Sequence, residues 1–194
     1  MCKSNDKLIE FSYIFKCFFN YHKENIAQDA TNSEIFETFS NTRLMKLLYF
    51  LCLESVNICG GDNDDSFEYN SENLFKYFGQ FCAMPNGPVL LDIYRAMDII
   101  PGFTYENGGF VAFNKRDINH SNILNKSLID RYFNAMISHM SNDLFRSRDK
   151  LVELTHDLPI WTNTFIYSSQ KLMSIECDDL IDEYKEYRKL LRKM

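Results

Sequence analysis

A chain of 194 residues that is 45% hydrophobic and 15% aromatic has too much apolar surface to stay unfolded in water, and its length suits one core. A formal charge of -6 and a pI of about 5.2 argue against general attraction to nucleic acid or to an anionic membrane. The longest apolar runs, such as residues 47–53, fall far short of the roughly 20 residues that cross a bilayer. MCKSNDKLIE lacks the apolar run of an export signal, so a cytoplasmic protein is expected.

From Asp6 to about Ala27, Leu8, Phe11, Tyr13, Phe15, Phe18 and Phe19 recur at near-helical spacing among lysines and glutamates, which predicts a first helix. The polar stretch QDATNSE, from Gln28, reads as a loop. Ser40, Asn41 or Thr42 can cap a second helix, and Gly60-Gly61 supplies a stop. Between those limits Leu44, Leu47, Leu48, Leu51 and Ile58 share one face. One stripe is therefore expected to be buried, with Arg43, Lys46 and Tyr49 on the other faces.

GGDNDDSFEYNSE, from Gly60, is an acidic, turn-rich loop, and Leu74 to Phe81 has mixed helix and strand character. Asn86-Gly87-Pro88 resembles a helix start, since proline at the first helical position gives up no needed hydrogen bond. That helix is expected to run to about Ile100, before Pro101-Gly102. FTYENGGFVAFN places aromatic and β-branched residues on both sides of Asn107-Gly108, which predicts a β-hairpin over about 103–113. Ser127 to Met140, Asn142 to Leu154 and Asp178 to Lys193 read as three more helices. The fold class is thus mostly α, a single globular helical domain with a small central hairpin.

No glycine-rich phosphate loop occurs, and the cysteines at 2, 17, 52, 59, 82 and 177 form no C-x-x-C pair. They are expected to be reduced and structural. His22, His120, His139 and His156 are far apart, with no H-E-x-x-H, so no metal ligand, cofactor or catalytic residue is assigned. His156-Asp157 could serve general base chemistry. The simpler reading has Asp157 capping a short helix near Pro159 while His156 bonds a backbone group. Trp161, the one tryptophan, suits either a core anchor or an interface hot spot. Lys185, Arg188, Lys189, Arg192 and Lys193 sit near a helix C-terminus, where cations suit the dipole. Asp143, Asp149 and Glu153 can neutralise the cluster of Arg146, Arg148 and Lys150.

Three stretches taken in order resemble a known family. R-L-M-K-L-L-Y-F from Arg43, N-G-P-V from Asn86 followed by Ile93-Tyr94, and L-T-H-D-L-P-I-W from Leu154 are similar to the Panacea domain, the SocA-like, phage-associated antitoxin group. The resemblance covers roughly residues 40–165; it leaves a helical extension at 1–39 and a C-terminal helix within 166–194. It implies a non-enzymatic cytoplasmic protein that neutralises a cognate protein toxin by direct binding, or that hands the toxin to a cytoplasmic protease as an adaptor. Carried over position by position, it points to partner contacts at Arg43, Lys46, Tyr94, His156 and Trp161. It gives structural roles to Leu44, Leu47, Leu48, Tyr49, Gly87, Pro88 and Thr155. An alternative is a DNA-binding autoregulator or phage-linked regulator, although the net charge speaks against nucleic acid as a partner.

Overall fold

The computed structural model describes residues 4–58, 67–114 and 126–194. Cys2, Cys59, His120, the Gly60-Gly61 stop and most of the acidic stretch after it lie outside the described residues.

Helix α1, Ser4–Asn25, buries Leu8, Phe11, Phe15, Phe18 and Phe19 of the predicted stripe and leaves Tyr13 half-buried. Residues 28–34 are not all loop, because Thr31 and Glu34 form a reciprocal capping box that starts α2, Asn32–Thr38. Ser40 caps α3, Asn41–Glu54, through its hydroxyl and the Arg43 N–H. This helix is not buried along one stripe: every residue from Arg43 to Glu54 is interior. It packs against four later helices and a strand, so no face is left for solvent.

The chain leaves α3 at Ser55, well before Gly60. The Ser55 hydroxyl donates to Cys52 O at 2.6 Å and accepts from Leu74 N at 2.7 Å, tying the exit to the next helix. Asn57 then pairs with Tyr69, and its side chain accepts from Glu68 N. Ile58 therefore lies beyond the helical stripe and is exposed.

Leu74–Phe78 forms α4, ended by Gly79 in a left-handed conformation. Cys82–Met84 (β1) and Gly87–Val89 (β2) follow as an antiparallel hairpin. Asn86-Gly87-Pro88 is thus a turn and strand, not a helix start. Gly87 adopts φ +94°, a region that favours glycine. Pro88 faces Ala83, whose N–H points away to Lys171 O at 2.7 Å, so the missing proline N–H leaves no gap. Residues 171–173 run along the other edge of β1, with Met173 N donating to Phe81 O. The helix expected up to Ile100 reduces to α5, Leu91–Tyr94, and a 3-10 turn, Met97–Ile99.

Phe103–Glu106 (β3) and Gly109–Phe113 (β4) form the predicted hairpin, with Asn107 and Gly108 both at positive φ. Its inner rings close the aromatic core over α1. Phe15 stacks on Phe103 at 4.3 Å between centroids and meets Phe36, Phe39 and Phe110 edge-on. Helix α1 therefore belongs to the same hydrophobic core as α3.

Lys126–His139 forms α6. The next segment splits at Ser147 into α7, Asn142–Arg146, and α8, Arg148–His156, because the Ser147 hydroxyl accepts from Lys150 N and restarts the helix. Asp157 ends α8 rather than capping α9, Pro159–Tyr167. Cys177–Leu191 forms α10 and buries Leu180, Glu183, Tyr184 and Tyr187. The result is a mostly α globular fold with two small two-stranded sheets among the described residues. Among the same residues no helix is long and apolar enough to cross a membrane.

Candidate functional site

The three motif stretches meet around the β1–β2 hairpin. Three helices each send one side chain to a backbone carbonyl of that hairpin. Lys46 Nζ on α3 donates to Pro88 O at 2.7 Å, and Trp161 Nε1 on α9 donates to Met84 O at 3.0 Å. His156 Nε2 at the end of α8 lies 3.1 Å from Pro85 O, which can only accept, so that nitrogen carries the proton. The hydroxyl of Thr162 returns to His156 O at 2.7 Å and links α9 to α8.

Close approach explains Gly87. A Cβ there would lie 2.4 Å from Thr155 Oγ1 and 2.7 Å from Lys46 Cε. Thr155 is itself fully buried and donates to Val152 O. The hairpin backbone therefore rests directly on α3 and α8, while Met84, Pro85 and Asn86 at its tip face solvent. Beside the tip is a notch of about 260 Å³, lined by Thr42, Asn86, Arg148, Asp149, Val152 and Glu153.

His156 also begins a column of stacked groups. Its ring lies 4.0 Å from Trp161 at 14°, Trp161 lies 4.9 Å from Phe165 at 9°, and the Lys171 ammonium sits 5.0 Å beyond Phe165. The stack holds α9 against the 171–173 segment. Trp161 is only 6% exposed, which settles its sequence-level ambiguity in favour of an anchor.

The expected partner contacts separate on burial. Arg43 and Lys46 are fully buried, so neither can touch a partner in this conformation, and both belong to the interior. Arg43 spends its donors on Phe145 O at 3.1 Å, Thr38 O at 3.1 Å, the Thr38 hydroxyl at 2.9 Å and His22 Nδ1 at 3.0 Å. Its guanidinium lies 4.2 Å from the Phe39 ring centroid. His22 must offer Nδ1 as an acceptor, and burial together with the Arg43 charge pushes it down to about 4. Tyr94 is 43% exposed on α5 and makes no hydrogen bond or ring contact with His156 or Trp161. Leu44, Leu47, Leu48 and Tyr49 are core residues.

Burial alone pushes Lys46 down to about 7, and among the described residues no carboxylate pairs with it. The nearest analogue among acids is Glu183 on α10, a group the sequence did not single out. It accepts from the Tyr49 hydroxyl and, at 2.7 Å, from Ile160 N. Leu158 caps α9 without a side-chain bond, so Glu183 supplies the missing acceptor from a distant helix. Burial raises Glu183 to about 7, opposed by those two hydrogen bonds. A carboxylate at a helical position otherwise flanked by charged residues gave no sequence signal of this role. The cations Arg146, Arg148 and Lys150 form surface ion pairs with Asp143 and Asp149.

Among the described residues no group of three or more His, Cys, Asp or Glu side chains is placed to hold a metal ion. Compared with protein-family models, curated proteins and solved structures, the chain finds no match.

Proposed function

We propose that this protein acts by binding another protein, as a cytoplasmic, non-enzymatic antitoxin that neutralises a toxin encoded beside it. The contact surface is the tip of the β1–β2 hairpin with the adjoining end of α8. One observation carries the reading: of the three stretches that resemble the Panacea domain, the first and third spend side chains on fixing one exposed turn, and the second forms part of that turn. Lys46, His156 and Trp161 each hold a carbonyl of that turn, and Met84, Pro85 and Asn86 are left facing outward. A loop ordered before it meets a partner loses little conformational freedom on binding, which favours affinity.

Tyr94, with 43% of its surface open, is a second contact candidate. The cations of α10 offer less support for DNA reading, because Lys189 pairs with Glu186 and Arg188 is engaged by Tyr184 and His139. Co-expression with the neighbouring open reading frame tests the proposal. The expected outcome is toxicity of that frame alone, rescue by this protein and co-purification of the two. Loss of the toxin from the cell, rather than a stable complex, is the signature of delivery to a protease. An innocuous neighbour that does not co-purify overturns the antitoxin reading.

A further inference from the structure

Asparagine followed by glycine is open to attack by the chain on itself, because glycine has no Cβ to keep its amide nitrogen away from the neighbouring side-chain amide carbon. The chain holds two such pairs, Asn86-Gly87 and Asn107-Gly108, each at the turn of a hairpin and each with its asparagine exposed. Among the described residues no hydrogen bond holds either asparagine side chain. The difference lies in the glycine. Pro88 has no N–H and the Ala83 N–H goes to Lys171 O, so the bonds of the β1–β2 ladder fall on the flanking pairs, Met84–Gly87 and Cys82–Val89. The Gly87 N–H is thus committed to Met84 O. Its surroundings are also full, with Thr155 Oγ1 and Lys46 Cε 2.4 and 2.7 Å from where a Cβ would stand. Gly108 lies outside the β3–β4 ladder, donates its N–H to no partner among the described residues, and has nothing within 4 Å of the same position.

We infer that Asn107 is a site of spontaneous succinimide formation and deamidation, and that the fold withholds the same reaction from Asn86. The amide nitrogen of Gly108, losing its proton to water or hydroxide, attacks Cγ of Asn107. A C–N bond forms, the Cγ–Nδ2 bond breaks, and ammonia leaves with a proton taken from solvent. Water then opens the five-membered ring at either carbonyl, giving aspartate from one opening and isoaspartate from the other. The net exchange is water in and ammonia out, with no change of oxidation state. The turn gains a carboxylate next to Glu106. The isoaspartate product also adds a methylene to the main chain of the hairpin whose rings cover Phe15 and Phe19. At Asn86 the attacking nitrogen must first give up its ladder bond and the turn must lift from Lys46 and Thr155, so reaction waits on local opening. The lost bond and the packing around Gly87 together make Asn86 slower than Asn107 by more than about tenfold. Asn107 lies on the other hairpin from the proposed binding surface, and its chemistry does not depend on that surface.

The test is prolonged incubation of the full folded chain at mildly alkaline pH, followed by peptide mapping with mass spectrometry and by methyl labelling with an isoaspartyl methyltransferase. Aspartate and isoaspartate are expected to accumulate at position 107, with a more acidic species emerging on ion exchange, while Asn86 keeps its amide. The same incubation in urea removes the fold, and the two pairs are then expected to react at similar rates. Gly108→Ala, whose methyl shields the attacking nitrogen, is expected to slow the reaction at 107 and to leave Asn86 as it was. An Asn107 that keeps its amide in the folded chain, or an Asn86 that reacts as fast as Asn107 there, overturns the inference. Rates that stay as unequal in urea as in the folded chain overturn the protective role of the fold. Deamidation at 107 that runs as fast in Gly108→Ala as in the wild type overturns the route through the succinimide.

Discussion

Tyr49 and Glu183, 134 residues apart in sequence, share a hydrogen bond inside the protein, and the other oxygen of Glu183 accepts the Ile160 N–H that opens α9. One carboxyl thus joins the central helix, the last helix and the helix that carries Trp161. Two buried donors depend on it.

Replacing Glu183 by alanine orphans both donors and is expected to lower stability by about 3 kcal/mol, read from urea unfolding. The pH dependence has a definite sign. The folded state raises this carboxyl from 4.5 to about 7, so folding favours its protonated form. Its contribution is fully present below pH 4.5 and is lost as pH rises through 7, a span of about 3 kcal/mol. Glu183→Gln, which cannot titrate, flattens this limb.

His22 works in the opposite direction over nearly the same window. Its folded value is lowered from 6.5 to about 4, so its contribution is present above 6.5 and lost as pH falls through 4. The magnitude is on the order of 2 kcal/mol after allowance for partial solvent screening. The wild type should therefore show a nearly level stability between pH 4.5 and 6.5. His22→Gln, which keeps an acceptor for Arg43, should uncover the falling limb that Glu183 imposes as pH rises. A wild-type profile that climbs steeply across this window would contradict the pairing.

Arg43 makes a sharper prediction about shape than about charge. Its planar fork serves acceptors on Thr38, His22 and Phe145 at once, and its stem fills the space between α1, α3 and α7. Lysine cannot reproduce that fork, so Arg43→Lys is expected to lose about 2 kcal/mol despite the retained charge. Circular dichroism melts of the two proteins check this. A melt superimposable on the wild type would show that the fork geometry is immaterial.

Gly87→Ala should be among the most damaging single-methyl additions in the chain. The new Cβ meets Thr155 and Lys46 well inside contact distance, and φ +94° is strained for any L side chain. A loss of about 2 to 4 kcal/mol is expected. Gly108→Ala is the control, since its φ is +83° but nothing lies within 4 Å of its Cβ. Strain alone should make that change cost about 1 kcal/mol. The difference between the two melts isolates the packing contribution.

Much of the layout was legible from spacing alone, and the misses share a cause. The 103–113 hairpin was readable because Asn107-Gly108 is a local signal whose turn geometry does not depend on distant residues. Helix α3 was readable, but its solvent face was not. Arg43 and Lys46 look like surface residues in sequence, and only the arrival of α7, the β1–β2 hairpin and His22 provides their buried acceptors. The N-G-P stretch was misread because proline suits a helix start and a non-hydrogen-bonded strand position equally well. The Lys171 carbonyl, far along the chain, decided between them. Glu183 was invisible for the same reason, since both of its donors are remote.

Tip variants address the proposed binding surface directly. Met84 is 41% exposed and only its backbone is engaged by Trp161. Met84→Lys should leave stability within about 0.5 kcal/mol of the wild type yet abolish co-purification with the neighbour-encoded protein. Retained co-purification would move the contact elsewhere, with Tyr94→Ala as the next variant to measure.

The complete enclosure of α3 has a consequence for how the chain is made. A helix with no solvent face cannot settle until its last cover arrives, and that cover includes α10, more than a hundred residues downstream. The nascent chain leaving the ribosome thus carries an apolar segment that stays unsatisfied until α10 has been made, an interval of several seconds at ordinary elongation rates of about 5 to 20 residues per second. Holding chaperones have their opportunity then, and truncated products stalled before α10 are natural prey for proteases.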